Sequence, residues 1–204
     1  MANRAGPNGS PCSLQGGVVT ELHRHDFANL PMLSKLELNW NDISVIRPEM
    51  FEGLDSIYRL ILRGNKIKEL KADFLKLPTL ASLYLDYNQI RSIDRNAFRL
   101  LKNLHRLNLG SNPMLSKIGP GAFYKLPLTT FTMYNANLTL LTKKMLPDSP
   151  YLKEIMLFNN KIQRIKNGAF DALGSLINVY LQQNPIRHFS QKNFKGLNST
   201  NLRL

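Results

Sequence analysis

Four histidines, one cysteine and a scatter of serines and acids are the side chains suited to catalysis or metal binding. His23 and His25 form an H-x-H pair, but His105 and His188 lie far along the chain. A lone H-x-H is a weak metal signal. Cys12 is the sole cysteine, which excludes an internal disulfide and a multi-cysteine zinc set. The chain carries no phosphate-cradling G-x-x-x-x-G-K-S/T or G-x-G-x-x-G segment, and no Ser, His and acid triad can be assembled. These residues therefore predict no catalysis, no metal and no cofactor. The residues whose spacing is informative are asparagines and aromatics. Asn41, Asn65, Asn88, Asn112, Asn160 and Asn184 form one column, and Phe27, Phe51, Phe74, Phe98, Phe123, Phe170 and Phe194 form another.

Both columns belong to a repeat. The chain aligns on L-x-x-L-x-L-x-x-N-x-I-x-x-I-x-x-x-x-F-x-x-L-x-x. Units start at Leu33, Ile57, Leu80, Leu104, Leu128, Leu152 and Leu176, in steps of about 24 residues with one step shorter by a residue. The array runs on at both ends. Cys12 and Leu14 fall on strand positions ahead of Val19, Leu22, Phe27 and Leu30, and Leu202 and Leu204 open another strand. The expected organisation is a flexible leader over 1–11 and a solenoid over 12–204. It has about nine rungs, with complete units over 33–199 and partial ones at both ends.

Stacking explains each column. The x-L-x-L-x segment alternates with period two, so its leucines point inward and the intervening residues outward. Neighbouring units lay parallel strands about 4.8 Å apart. A single unit buries too little to fold alone, so its neighbours must supply the remaining burial. The buried asparagines must bond backbone groups where the chain leaves the strand. The phenylalanines should stack as a spine on the opposite side. Two units break the pattern. After Asn112-Pro113, the residues Leu115, Ile118 and Phe123 come one position late. In the next unit Ala136 replaces the asparagine and Leu146 the phenylalanine, with Asn135 or Asn137 available as a partial substitute.

The stretches LSKLELNWNDISVIRPEMFEGL, LASLYLDYNQIRSIDRNAFRLL and LKEIMLFNNKIQRIKNGAFDAL resemble the typical leucine-rich repeat of extracellular proteins. Toll-like receptors, Slit, chondroadherin, chaoptin and connectin carry that class. The resemblance covers about residues 12–204. It implies an α/β horseshoe with a parallel sheet on the concave face and short 3-10 or extended returns on the convex face. It also implies an extracellular or cell-surface recognition module in a receptor, adhesion or matrix protein. Such arrays usually end in cysteine-rich caps, so the chain reads as a piece of a longer ectodomain. The Met1–Gln15 segment has no apolar stretch of a signal peptide. Cys12 is either a cap remnant or a strand position. The sequons at Asn8, Asn137 and Asn198 are candidate glycosylation sites.

Hydrophobic residues make up 43%, enough for a core, and no apolar run reaches the roughly 20 residues of a membrane span. The net charge of +13 invites an anionic partner. On the outward strand positions, however, Lys35, Arg59, Arg63, Arg106 and Lys153 are offset by Glu37, Asp86 and Glu154. Most bases fall on returns instead, among them Lys66, Lys68, Lys161, Arg164 and Lys166. That distribution disfavours a nucleic-acid groove. It leaves sulfated glycan on the basic flank as the second expectation, and an intracellular scaffold as a third. The first expectation is a protein ligand held by Trp40, Arg63, Tyr84, Tyr87, Tyr134, Phe158 and Tyr180, because Tyr, Trp and Arg anchor interfaces.

Overall fold

The computed structural model describes residues 11–198 and 200–204. Most of the 1–11 leader and the Asn8 sequon lie outside them. Among the described residues, a nine-stranded parallel sheet runs through Cys12–Ser13, Lys35–Glu37, Arg59–Ile61, Ser82–Tyr84, Arg106–Asn108, Thr130–Thr132, Glu154–Met156, Asn178–Tyr180 and Asn201–Arg203. Sheet order is sequence order, so each rung pairs only with its neighbours. The register aligns the inward column: Cys12 with Leu36, Leu36 with Leu60, Leu60 with Leu83, and onward through Leu107, Phe131, Ile155, Val179 and Leu202. Cys12 thus occupies a strand position and is buried, and that burial pushes its thiol pKa up.

The returns are short. Ladders pair Glu69–Leu70 with Ser92–Ile93, Ser92–Ile93 with Lys117–Ile118, and Leu140–Leu141 with Arg164–Ile165. Turns of 3-10 helix cover Pro48–Phe51, Lys143–Met145 and Gln191–Asn193, and no α-helix occurs among the described residues. Pro48 starts its turn where its fixed φ and missing N–H cost nothing. No helix among the described residues is long and apolar enough to cross a membrane.

The asparagine column is a ladder of side-chain bonds. Asn65 accepts from the Ile43 N–H at 3.1 Å and donates to the Leu38 carbonyl at 2.8 Å, reaching across to the preceding rung. Asn88, Asn112, Asn160 and Asn184 repeat this with Ile67, Ile90, Leu138 and Ile162. Asn41 makes the same connection to Val19 and Leu14. Each amide thus satisfies a donor and an acceptor that leave the strand with no sheet partner.

The phenylalanine spine forms in three groups of ring contacts. Phe27 stacks on Phe51 at 6.1 Å, and Phe98 lies 5.4 Å from Phe74 and 5.6 Å from Phe123. Phe170 then stacks on Phe194 at 6.1 Å. One break falls between Phe51 and Phe74, and the other where Leu146 stands, buried but without a ring. Ala136 stands in the same rung, and neither neighbour restores the ladder. Asn135 turns to the Ser111 hydroxyl at 3.3 Å, while the Asn137 backbone N–H donates to the Leu115 carbonyl. Leu115 donates its own N–H to the Asn112 carbonyl at 2.9 Å instead of to a side chain in the following rung. The inserted residue of the preceding unit is absorbed at Pro113-Met114, which bulge outward while Leu115 and Phe123 stay buried. Ser149, wholly buried, adds a strap by donating to the Leu128 carbonyl at 2.8 Å.

Replacing Asn112 with Ala orphans the Ile90 N–H and the carbonyls of Leu85 and Leu109 inside the array. Each buried unmet group costs about 1–3 kcal/mol, so the loss of all three in Asn112→Ala should lower the unfolding free energy by at least about 3 kcal/mol in urea titration. Asn135→Ala, which touches no ladder bond but puts alanine at a left-handed residue and loses the bond to Ser111, should cost less, about 1 kcal/mol.

Candidate recognition site on the concave face

In seven rungs the residue three positions past the strand has left-handed backbone, just ahead of the ladder asparagine or, in one rung, of Ala136. Trp40, Tyr87, Ser111, Asn135, Asn159 and Gln183 have φ between 48° and 58°, and Gly64 has φ 68°. This turn swings the side chain away from the core, over the rim of the concave face. A tryptophan or tyrosine there is therefore held exposed: Trp40 is 50% and Tyr87 42% accessible.

Glycine at one rung makes room for the aromatic of another. A Cβ on Gly64 would stand 2.1 Å from Trp40 Cε3, so the indole lies flat across the Gly64 backbone. That brings Trp40 to 5.8 Å from Tyr87, two rungs on. A Cβ on Gly110 would likewise stand 2.4 Å from Tyr134 Cε1. Tyr134 then stacks on Phe158 with centroids 4.7 Å apart and planes 2° from parallel.

Arg63 ties the Trp40–Tyr87 pair to the sheet. Its Cζ sits 4.5 Å from the Tyr87 centroid and 5.4 Å from the Trp40 centroid, within cation–π range. Its Nε lies 3.3 Å from Asp86 Oδ2 on the next rung. Asp86 is only 2% accessible. Burial pushes its carboxyl up from the usual range, opposed by the Arg63 charge. Burial also raises the Tyr134 phenol, helped by charge on Tyr87 and Asp86 and opposed by a hydrogen bond with Ser111. At the array's start, Lys35 holds the Glu37 carboxyl below its usual range through a hydrogen bond, against the opposing effect of burial.

Of the residues expected to bind, Trp40, Arg63, Tyr87, Tyr134 and Phe158 thus fall into two packed groups along one rim. Tyr84 and Tyr180 lie apart on the mid-strand column. Tyr84 is in register with Ile61 and Asn108, and Tyr180 packs against Arg203, whose Cζ is 5.2 Å from its ring. Asp86, Gly64 and Gly110 complete the groups but were not among the expected anchors. Their signal in sequence is a glycine or acid one rung from an aromatic. On the convex side, a shallow cleft of about 570 Å³ gathers Arg164, Lys166 and His188 beside Phe189. Asn198 is exposed and Asn137 half-buried. His23 lies near Glu21 and Asp26, and no cluster of three potential metal ligands occurs among the described residues.

A parallel-sheet solenoid with a polar and aromatic inner rim defines a class typical of non-catalytic recognition modules. Residues 70–203 match the BspA type leucine rich repeat region in 6 copies, and residues 13–67 match the leucine rich repeat. The chain belongs to the leucine-rich-repeat family. It is 36% identical to epiphycan of Gallus gallus over 52 residues, 26% of this chain and 16% of epiphycan. Its fold is similar to that of the TLR13–ssRNA13 crystal structure, with TM-score 0.74 and 22% identity over 87% of this chain and 29% of that one. The chain therefore spans under a third of either protein's length.

Gly64→Ala forces an L-residue into a left-handed conformation and pushes the indole off the backbone. It should cost about 1–2 kcal/mol and red-shift the emission of Trp40, the chain's single tryptophan. The two acids should show opposite pH behaviour. Asp86, with its raised folded pKa, favours folding below the ordinary carboxylate range and costs stability as pH rises through the folded value. Glu37, with its lowered pKa, adds stability above that range and loses it as pH falls through the lowered value. Between about pH 3 and 6, the melting temperature of Asp86→Asn should gain on the parent as pH rises, and that of Glu37→Gln should fall behind it.

Proposed function

We propose that this chain is the recognition segment of an extracellular receptor, adhesion or matrix protein, and that it binds a protein ligand on its concave face. The packed aromatic rim carries this reading. Trp40, Tyr87, Tyr134 and Phe158 are large side chains held in place by backbone geometry and glycine floors, not by the core. Aromatics fixed in that way lose little entropy on binding, which is the property of interface anchors. The likeness to epiphycan supports an extracellular setting, and sequons at Asn137 and Asn198 fit glycosylation there. The neighbouring fold whose crystals hold ssRNA13 does not carry its ligand to this chain at 22% identity. On this concave face Glu37, Asp86 and Glu154 interrupt the bases, which disfavours a phosphate track.

The Tyr84→Ala, Tyr134→Ala, Phe158→Ala triple variant should keep the parent's urea midpoint within about 1 M, because none of the three is a core residue. Measured by surface plasmon resonance against a protein ligand captured by the parent, its affinity should fall at least about 100-fold, as when several anchors are lost together. Unchanged affinity would refute the concave-face reading.

A further inference from the structure

Arg63 is a concave-face base held both by an acid and by two aromatic rings, and its side chain is still 43% accessible. Its Nε is buried 3.3 Å from Asp86 Oδ2 as an ion pair without a hydrogen bond, and its guanidinium plane is packed against Tyr87 and Trp40. Its terminal Nη groups make no hydrogen bond among the described residues. Asp86, by contrast, is 3% accessible at its side chain and faces Arg63 from below. The carboxylate therefore acts as a brace beneath the arginine and is closed to a ligand. Lys35 is already engaged by Glu37, and Arg106 and Lys153 are exposed without a bracing acid.

A braced guanidinium offers a planar pair of donors whose spacing matches the two oxygens of a carboxylate. Because its rotamers are already fixed, little further entropy is lost when a ligand arrives. The surroundings define what else that ligand carries. The exposed rims of Trp40 and Tyr87 flank the arginine, and the Tyr134–Phe158 stack follows along the array. Arg63 and Tyr134 stand three rungs apart, through Asp86 and Gly110. At about 4.8 Å per rung their backbones are about 14 Å apart, and the Tyr134 ring leans back over Gly110 toward Tyr87, so roughly four residues of extended chain are the most needed to join them. Charge on this face agrees with an acidic partner: two of its acids, Glu37 and Asp86, are taken up by Lys35 and Arg63, while Arg106 and Lys153 stay exposed.

Resting on the concave-face reading above, we infer that Arg63, braced by Asp86 and capped by Trp40 and Tyr87, anchors a Glu or Asp side chain on an acidic, extended loop of the protein partner, with an aromatic of that loop reaching the Tyr134–Phe158 stack. Arg63 touches the ligand, whereas Asp86 is a positioning residue that acts through it.

The test uses the whole 204-residue chain, labelled with nitrogen-15. The probes are the peptide acetyl-Glu-Gly-Ser-Gly-Phe-amide, its Gln counterpart and sodium sulfate. The Glu peptide should shift the Arg63 Nε–H and Trp40 indole resonances, and the Gln peptide should bind about tenfold more weakly, the loss expected for one charge-assisted pair. Arg63→Lys should lose the same factor with an unchanged melting temperature. Asp86→Asn should lose part of it while broadening the Arg63 Nε–H signal. Equal binding of both peptides, or shifts confined to Tyr84, Met156 and Tyr180, would overturn the anchor while leaving the concave-face reading standing. A matching Arg63 shift with sulfate alone would make this a general oxyanion site and overturn the carboxylate assignment. If neither peptide shifts any concave residue, the anchor falls, and the concave-face reading is then decided by its triple variant alone.

Discussion

The structure depends on bonding that reaches one rung backward. A parallel strand only three residues long leaves backbone groups at its exit with no sheet partner. Inside an array those groups cannot be given to water. The buried asparagine resolves this by accepting an N–H and donating to a carbonyl of the rung before it. Leucine burial supplies the main attraction between rungs, but it is non-directional. The amide fixes where the chain must turn, and so holds successive rungs in register.

The binding rim follows from that turn. Left-handed backbone precedes each ladder asparagine from Asn41 to Asn184, at Gly64 and at five non-glycine residues, and Asn135 keeps the same turn ahead of Ala136. The strained residue projects over the edge of the sheet. Core geometry therefore places a column of side chains at the concave rim and leaves their identity free. Trp40 and Tyr87 use that freedom, as does Gly64, whose missing side chain lets the indole lie down. The same logic places Asp86 beneath Arg63: both belong to the outward column, one rung apart.

Much of this was legible in the sequence, because repetition multiplies a weak local signal. The inward columns at Leu36, Leu60, Leu83 and Leu107 are in register, the asparagines bond as their spacing requires, and Phe98 packs between Phe74 and Phe123. The expectation that Tyr84 and Tyr180 share one surface with the other aromatics was too coarse. Alternation assigns a face of the sheet, but neither a position across it nor a rotamer. The indole lying over Gly64 depends on contacts between different rungs, which no single repeat records. The Asp86–Arg63 brace was hidden for the same reason, since each residue looks like an ordinary exposed strand position within its own unit. Ser149 escaped because its hydroxyl serves one irregular return and recurs in no column.

The rung carrying Ala136 and Leu146 lacks both the backward amide and the ring of the spine. In a one-dimensional array, cooperativity is transmitted only through nearest-neighbour interfaces. Two of the repeated links are missing at one interface, and other contacts replace them there: Phe131 lies 4.9 Å from Phe123, Asn135 donates to the Ser111 hydroxyl, and Tyr134 leans over Gly110. Trp40, Arg63 and Tyr87 lie before that interface, and Tyr134, Phe158 and Tyr180 after it. A ligand lying along the rim would bridge the interface and couple its own binding to the cohesion of the array.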